Sequence, residues 1–155
     1  MKSKITIFSK IVLCLFLILF GSTFALNSDS GYIQTGNGKI FYECSGSGEV
    51  IILIHDGLLP SAVWDEQFAF FSEDYRVIRY DRRGYGRSSP AEGTYSHLED
   101  LSTLFRELKL ESANLIACSS GGALAIDFTL KYPNKVRSLV LVGAVVGGFS
   151  YTHHF

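Results

Sequence analysis

Short apolar runs alternate along the chain with helical patterns. Residues 50–54 form a continuous apolar run without polar alternation, as is typical of a strand buried on both faces of a parallel sheet. Further strands are predicted at 113–118 and 136–142. Strand-like runs at 31–35 and 39–44 flank Asn37-Gly38, a strong hairpin turn signal. Residues 75–80 predict a further strand. The pattern therefore predicts six strands.

Three helices are predicted between these strands. One includes residues 64–71, where aromatic side chains recur at i, i+4 and i+7. A second follows Ser96, which forms a capping box with Glu99. The third covers 122–132 and ends at Pro133. Strands that alternate with helices predict an α/β fold, with a mostly parallel sheet and helices on both faces.

The first 25 residues have the pattern of a secretory signal peptide. Lysines at positions 2, 4 and 10 precede an apolar run over 11–20, and small residues lead to a cleavage site after Ala25. The alternative is an uncleaved segment that anchors the protein in a membrane. We expect an exported protein, with a signal peptide at 1–25, a polar linker at 26–30 and one domain at 31–155.

Composition narrows the functional classes. The 155 residues are 47% hydrophobic and 19% charged, which is typical of one globular domain. The formal net charge of −1, without a basic block, argues against nucleic acid as a partner. Cys44 and Cys118 are predicted to lie on well-separated strands, so we expect no disulfide between them. No metal-ligand constellation is present.

The most informative site is Ser119, where the apolar run 113–118 breaks among small residues before a predicted helix. Serine hydrolases place the nucleophile on such a sharp strand-to-helix turn, which requires small residues two positions before and after it. Ala117 and Gly121 meet that requirement. The N–H of Ser120 would then face a developing oxyanion. The alternative is that Ser119 or Ser120 is only a helix N-cap.

A second candidate segment, His55-Asp56-Gly57, directly follows a buried strand. A loop there could supply another backbone N–H to an oxyanion, because glycine allows close approach of a substrate. His55 could act as a general base, but a histidine at the end of a strand more often holds its loop by hydrogen bonds. We therefore expect a structural His55.

The segment Asp81–Ser88 is rich in arginine and glycine. It lacks the lysine and hydroxyl residue of a P-loop and has the wrong spacing for a dinucleotide-binding fingerprint. We interpret it as a structured turn. Asp81 and an arginine would hold the loop together, and Gly84 and Gly86 would allow unusual backbone angles.

In their order and spacing, these three segments resemble the α/β-hydrolase superfamily. The resemblance extends over about Tyr32 to Gly148, with Asp56 and Ala117 as departures from the usual glycines. It implies Gly57 as an oxyanion-hole donor beside Ser120. Serine at the nucleophile position points toward esterases, lipases, C–C hydrolases, aminopeptidase-like members and perhydrolases, rather than epoxide hydrolases or haloalkane dehalogenases.

In members of this superfamily, the nucleophile is activated by a catalytic acid and a histidine. Both come after the nucleophile in the chain, beyond later strands. The resemblance therefore implies a truncated serine hydrolase, weakly active or inactive, that lacks the C-terminal strands and helices, and the signal-peptide pattern predicts that it is exported. We expect a small ester-like substrate and no cofactor. His153 and His154 are poor substitutes for the base, since no carboxylate is evident to orient them. The alternatives are a non-catalytic ligand-binding module and a membrane-anchored interaction protein.

Overall fold

The computed structural model describes residues 28–146. In this part of the chain one sheet contains six strands: β1 (Asp29–Thr35), β2 (Gly38–Ser45), β3 (Val50–Ile54), β4 (Arg76–Tyr80), β5 (Ala113–Cys118) and β6 (Val136–Val142). Their spatial order is β1-β2-β4-β3-β5-β6. The signal peptide predicted at 1–25 lies outside the described residues, as do His153 and His154.

The sheet is antiparallel at one edge and parallel elsewhere. β2 pairs antiparallel with β1 and β4, whereas β4, β3, β5 and β6 are mutually parallel neighbours. This confirms the predicted mostly parallel sheet. Because parallel neighbours all end at the same edge, the segments after β3, β4 and β5 converge there. The three candidate segments are those same segments.

The ends of the first hairpin differ from the prediction. β1 begins at Asp29, so Asp29 and Ser30 of the predicted linker belong to the strand. The turn consists of Gly36 and Asn37, and Gly38 already pairs with Thr35. Gly36, with a φ of 49°, supplies the positive angle that a two-residue hairpin turn requires.

Three α-helices are described: α1 (Asp65–Phe71), α2 (His97–Glu107) and α3 (Ser120–Lys131). A 3₁₀ turn over Ser61–Trp64 precedes α1, and another over Pro133–Lys135 follows α3. The side chain of Ser96 accepts a hydrogen bond from the amide of Glu99, which confirms the predicted N-cap of α2. α3 begins two residues earlier than predicted.

Helices cover both faces of the sheet, as predicted. Alternate side chains of β3 point to opposite faces. Ile52 and Ile54 belong to one apolar cluster, together with residues of α2 and α3. Ile51 and Leu53 belong to the other, which includes Phe68 of α1. The non-alternating apolar run of β3 is therefore explained by burial on both sides.

β6 forms one edge of the described sheet and is only lightly covered. Val140, Leu141 and Val142 are each more than two-fifths exposed. Among the described residues, no helix has the length and apolar character that crossing a membrane requires.

Candidate active site

Ser119 has a backbone conformation that non-glycine residues rarely adopt. It lies between β5 and α3 with φ 51° and ψ −120°. The strain of such a conformation costs on the order of 1–3 kcal/mol and persists only where the surrounding structure enforces it. Two hydrogen bonds hold the residue against the segment at the end of β6, from the Ser119 amide to Val142 (3.0 Å) and from the Val145 amide to the Ser119 carbonyl (3.2 Å).

The Ser119 side chain does not cap α3. An N-cap serine has an extended backbone, and its hydroxyl accepts a hydrogen bond from an amide in the first turn. Ser119 has neither feature. Its side chain is half-buried and forms no hydrogen bond with the described part of the protein. The hydroxyl is therefore available for chemistry, which argues against the N-cap interpretation.

The loop after β3 lies directly against the start of α3. A methyl group added to Gly57 would lie 2.9 Å from Oγ of Ser120. The structure therefore brings Gly57 and Ser120 together, next to Ser119. Ser120 is the first residue of α3, so its N–H has no acceptor within the helix. Backbone amides at a helix start are suited to stabilising negative charge.

Gly121 allows this close approach. A methyl group built on its backbone would lie 2.3 Å from the carbonyl oxygen of His55 and 2.8 Å from that of Ile54. Both are backbone atoms at the end of a central strand, so they cannot move aside as a flexible side chain would. The small residue predicted two positions after Ser119 is therefore a packing requirement.

We expect Gly121→Ala to destabilise the full-length protein by about 1–3 kcal/mol, because of overpacking. A loss of stability would be informative, because replacement of glycine by alanine within a helix normally stabilises a protein by about 1 kcal/mol. Urea unfolding would measure the change. Gly31→Ala is a suitable control because its nearest neighbour is the side chain of Tyr42, at 3.3 Å. Equal stability of the Gly121 variant and the wild type would contradict the packing argument.

His55 holds the loop, as predicted. Its Nε2 accepts a hydrogen bond from the amide of Arg82 (2.9 Å), so Nδ1 carries the proton and donates to the Asp56 carbonyl (2.7 Å). The side chain is fully buried. Burial, together with the charge of Arg82, lowers the pKa of His55 to about 4. With both ring nitrogens engaged, His55 has no free nitrogen to take a proton from Ser119.

The lowered pKa of His55 predicts a loss of stability in mild acid. The unfolded chain takes up a proton near the ordinary pKa of 6.5, whereas the folded protein does so only near pH 4. Stability therefore falls as pH decreases from about 6.5 to 4, by about 2 kcal/mol between pH 7 and pH 5. Urea unfolding of wild type and His55→Gln at several pH values would isolate this contribution. Parallel pH curves for the two proteins would contradict it.

The segment Asp81–Ser88 is a structured turn, as predicted. One carboxylate oxygen of Asp81 accepts hydrogen bonds from the amide (2.8 Å) and hydroxyl (2.6 Å) of Ser61, and the other accepts from the Arg87 amide (2.8 Å). A methyl group on Gly86 would lie 2.2 Å from that second oxygen. Gly84 and Gly86 have φ angles of 85° and 50°, which confirms their predicted role.

Two arginines in this segment have roles that were not predicted. Arg83 forms a buried ion pair with Asp100 of α2, through two hydrogen bonds of 3.0 and 2.7 Å, and also binds Thr35 of β1. Arg82 reaches Ser120, with its Nη2 3.0 Å from Oγ. No sequence signal distinguished these adjacent arginines, because their directions depend on how α2 and α3 pack.

The two cysteines in this part of the chain are free thiols. Cys118 directly precedes Ser119, and burial raises its pKa, so it is a neutral thiol at neutral pH. Within residues 28–146, no cluster of three or more His, Cys, Asp or Glu side chains could hold a metal ion.

Comparison with known families is consistent with this geometry. Residues 49–155 match the sequence model of a family described as the alpha/beta hydrolase fold. The chain belongs to the α/β-hydrolase family. The match includes the loop after β3, the turn after β4 and the Ser119 segment. The resemblance to the α/β-hydrolase superfamily that these segments indicated is therefore confirmed.

Relatives in this family include enzymes of several activities. The chain is 34% identical over 123 residues to a bifunctional esterase/perhydrolase of Acinetobacter calcoaceticus, a match covering 74% of this chain and 45% of the relative. It is 33% identical over 112 residues to the non-heme chloroperoxidase CPO-A1 of Kitasatospora aureofaciens, covering 69% and 41%. This α/β-hydrolase chain thus spans less than half the length of these relatives.

A solved structure gives the same result for the fold. A thermophilic esterase from Thermogutta terrifontis superposes with a TM-score of 0.72 at 26% identity, over 80% of this chain and 48% of the esterase. The part that superposes therefore makes up less than half of that esterase chain.

Proposed function

We propose that this protein is an exported serine hydrolase that cleaves the ester or a related acyl bond of a small molecule, with Ser119 as the nucleophile. The main support is the strained backbone of Ser119, whose hydroxyl is not used to cap the helix it precedes. Such a turn is the nucleophile elbow of serine hydrolases. The esterases among its relatives support the same reaction class.

In this mechanism Ser119 Oγ attacks the acyl carbon, and its proton passes to a general base. The carbonyl oxygen becomes an oxyanion, which accepts hydrogen bonds from the amides of Gly57 and Ser120. The alcohol leaves, and water then releases the acid from the acyl-enzyme. Since both nitrogens of His55 are engaged, we propose that the base and its carboxylate partner come from residues outside 28–146.

Covalent labelling of the full-length protein with a fluorophosphonate tests this proposal. We expect one labelled peptide, containing Ser119, and no labelling of Ser119→Ala. The matched control is Ser138→Ala, an exposed serine on neighbouring β6 that binds Asn114, which should label normally. A folded wild-type protein that binds an ester without being labelled would instead favour a non-catalytic ligand-binding module.

The signal peptide proposed at 1–25 is tested separately. N-terminal sequencing of the protein from an expressing culture should give Leu26 as the first residue of the exported form. An intact N-terminus in the membrane fraction would favour the anchored alternative.

A further inference from the structure

Arg82 connects the two segments that carry the proposed oxyanion-hole donors. Its side chain is buried, with only 4% of the residue exposed. Nη2 donates to the carbonyl of Asp56, in the loop after β3, and also to Oγ of Ser120, at the start of α3. One nitrogen atom therefore bridges the loop and the helix.

The contact with Asp56 determines the direction of the Gly57 amide. The Asp56 carbonyl and the Gly57 N–H belong to the same peptide group, and in a trans peptide they point in opposite directions. No cis peptide occurs in the described residues. Because His55 Nδ1 and Arg82 Nη2 both donate to this carbonyl, the N–H on the other side is fixed and polarised.

The next peptide group is held as well. The hydroxyl of Tyr85 donates to the Gly57 carbonyl (2.9 Å). The Arg82 guanidinium lies over the Tyr85 ring, 5.2 Å from its centroid. Both peptide groups that flank Gly57 are therefore held by side chains of the segment Asp81–Ser88.

The charge of Arg82 is not neutralised by a direct partner. Among residues 28–146, no carboxylate lies within 4.0 Å of its guanidinium nitrogens, and its buried Nε has no hydrogen-bond partner. Arg83 beside it has Asp100 as a buried partner. A buried cation without an ion pair is costly, so stability alone is a weak explanation for Arg82. Its positive charge lies beside the two amides that would face an oxyanion.

We propose that Arg82 is a positioning residue that aligns the amides of Gly57 and Ser120 for stabilising the oxyanion during acyl transfer. The inference rests on the proposed hydrolase function. Arg82 acts through the Asp56 peptide group and the Ser120 side chain, and its charge favours negative charge at the site. Small displacements of hydrogen-bond donors in an oxyanion hole strongly reduce the reaction rate. Arg82 can therefore affect the rate of acyl transfer although it does not contact the oxyanion itself.

The test compares Arg82→Met with Arg79→Met in the full-length protein. Arg79 lies on β4, the strand directly before the turn that contains Arg82, and is paired with Glu43 (2.8 Å), so its variant controls for loss of a nearby arginine. Active sites are counted by fluorophosphonate labelling, and kcat is expressed per labelled site. The amide resonances of Gly57 and Ser120 are followed by NMR.

For Arg82→Met we expect kcat per labelled site to fall about 10- to 100-fold with KM within about threefold, because the lost alignment affects the transition state more than substrate binding. The Gly57 and Ser120 resonances should shift. Arg79→Met should leave all of these values close to wild type. A structural role would reduce the labelled fraction and leave kcat per site unchanged.

An unchanged kcat per site in Arg82→Met, or unmoved Gly57 and Ser120 resonances, would overturn the proposal. Failure of the hydrolase function is distinguishable, since the wild type would then not be labelled at Ser119. In that case the resonances alone decide whether Arg82 positions the two amides.

Discussion

Hydrolysis of p-nitrophenyl acetate by the full-length protein, with the residues that supply the general base and its carboxylate partner, is expected to fall by about 10⁴-fold or more in Ser119→Ala. The substitution removes the oxygen that attacks the acyl carbon, and no neighbouring group can replace it: the Cys118 thiol has a raised pKa, and Ser120 Oγ is bonded to Arg82. Initial rates at saturating substrate would measure the loss. Ser138→Ala, on the adjacent strand, should retain the wild-type rate.

Ser119→Gly adds a second readout to this prediction. Glycine adopts positive φ angles without the steric cost that serine has at φ 51°. We therefore expect the glycine variant to be as inactive as the alanine variant but more stable than the wild type, by about 1 kcal/mol or more in urea unfolding. Such a trade of stability for activity is typical of a strained functional residue. Near-normal hydrolysis by Ser119→Ala would place the nucleophile elsewhere.

The interior strands were predictable because their burial is visible in the sequence. β3 and β5 have the predicted ends, since each is a short, mainly apolar run bounded by polar or turn residues. β6 also has the predicted ends, although it is an edge strand of the described sheet and most of its residues are exposed. β1 was predicted less well. Its first two residues, Asp29 and Ser30, are polar and exposed, and they belong to the strand only because they pair with Cys44 and Glu43. Backbone pairing with a neighbouring strand does not require apolar side chains, so the sequence of β1 alone does not show where the pairing begins.

The strand order could not be derived from the pattern alone. β4 lies between β2 and β3, although it follows both in the chain. A consequence is that the turn after β4 adjoins the loop after β3, where the amide of Arg82 meets His55. The sequence identified both segments but not their contact.

At the candidate site, local requirements were predictable and long-range ones were not. Gly121 and Gly86 were recognised because tight turns need small or flexible residues, and both would clash with any side chain. The partners of Arg82 and Arg83 were missed. Their side chains are long and flexible, and their acceptors, Ser120 and Asp100, come from helices whose placement depends on the whole core.

The buried ion pair between Arg83 and Asp100 carries the largest expected effect on stability. Both side chains are less than 5% exposed, and Arg83 also donates to Thr35. The pair therefore joins the turn after β4 to α2 and to the first hairpin. Asp100→Ala would leave the guanidinium buried without its anion, at a cost of about 3–5 kcal/mol. Urea unfolding of the full-length protein would measure the change.

A double variant distinguishes the net contribution of the intact ion pair to the free energy of unfolding from the cost of leaving one buried charge unpaired. Arg83→Met combined with Asp100→Leu removes both charges, so we expect it to lose less stability than the sum of the two single variants. The exposed pair of Arg106 and Glu107 is the matched control, and Glu107→Gln should change stability by less than about 0.5 kcal/mol. Additive losses in the double variant would show that the two side chains contribute independently. In that case the turn Asp81–Ser88 would be held in position by the hydrogen bonds of Asp81 and by its glycines, and not by the ion pair with Asp100 of α2.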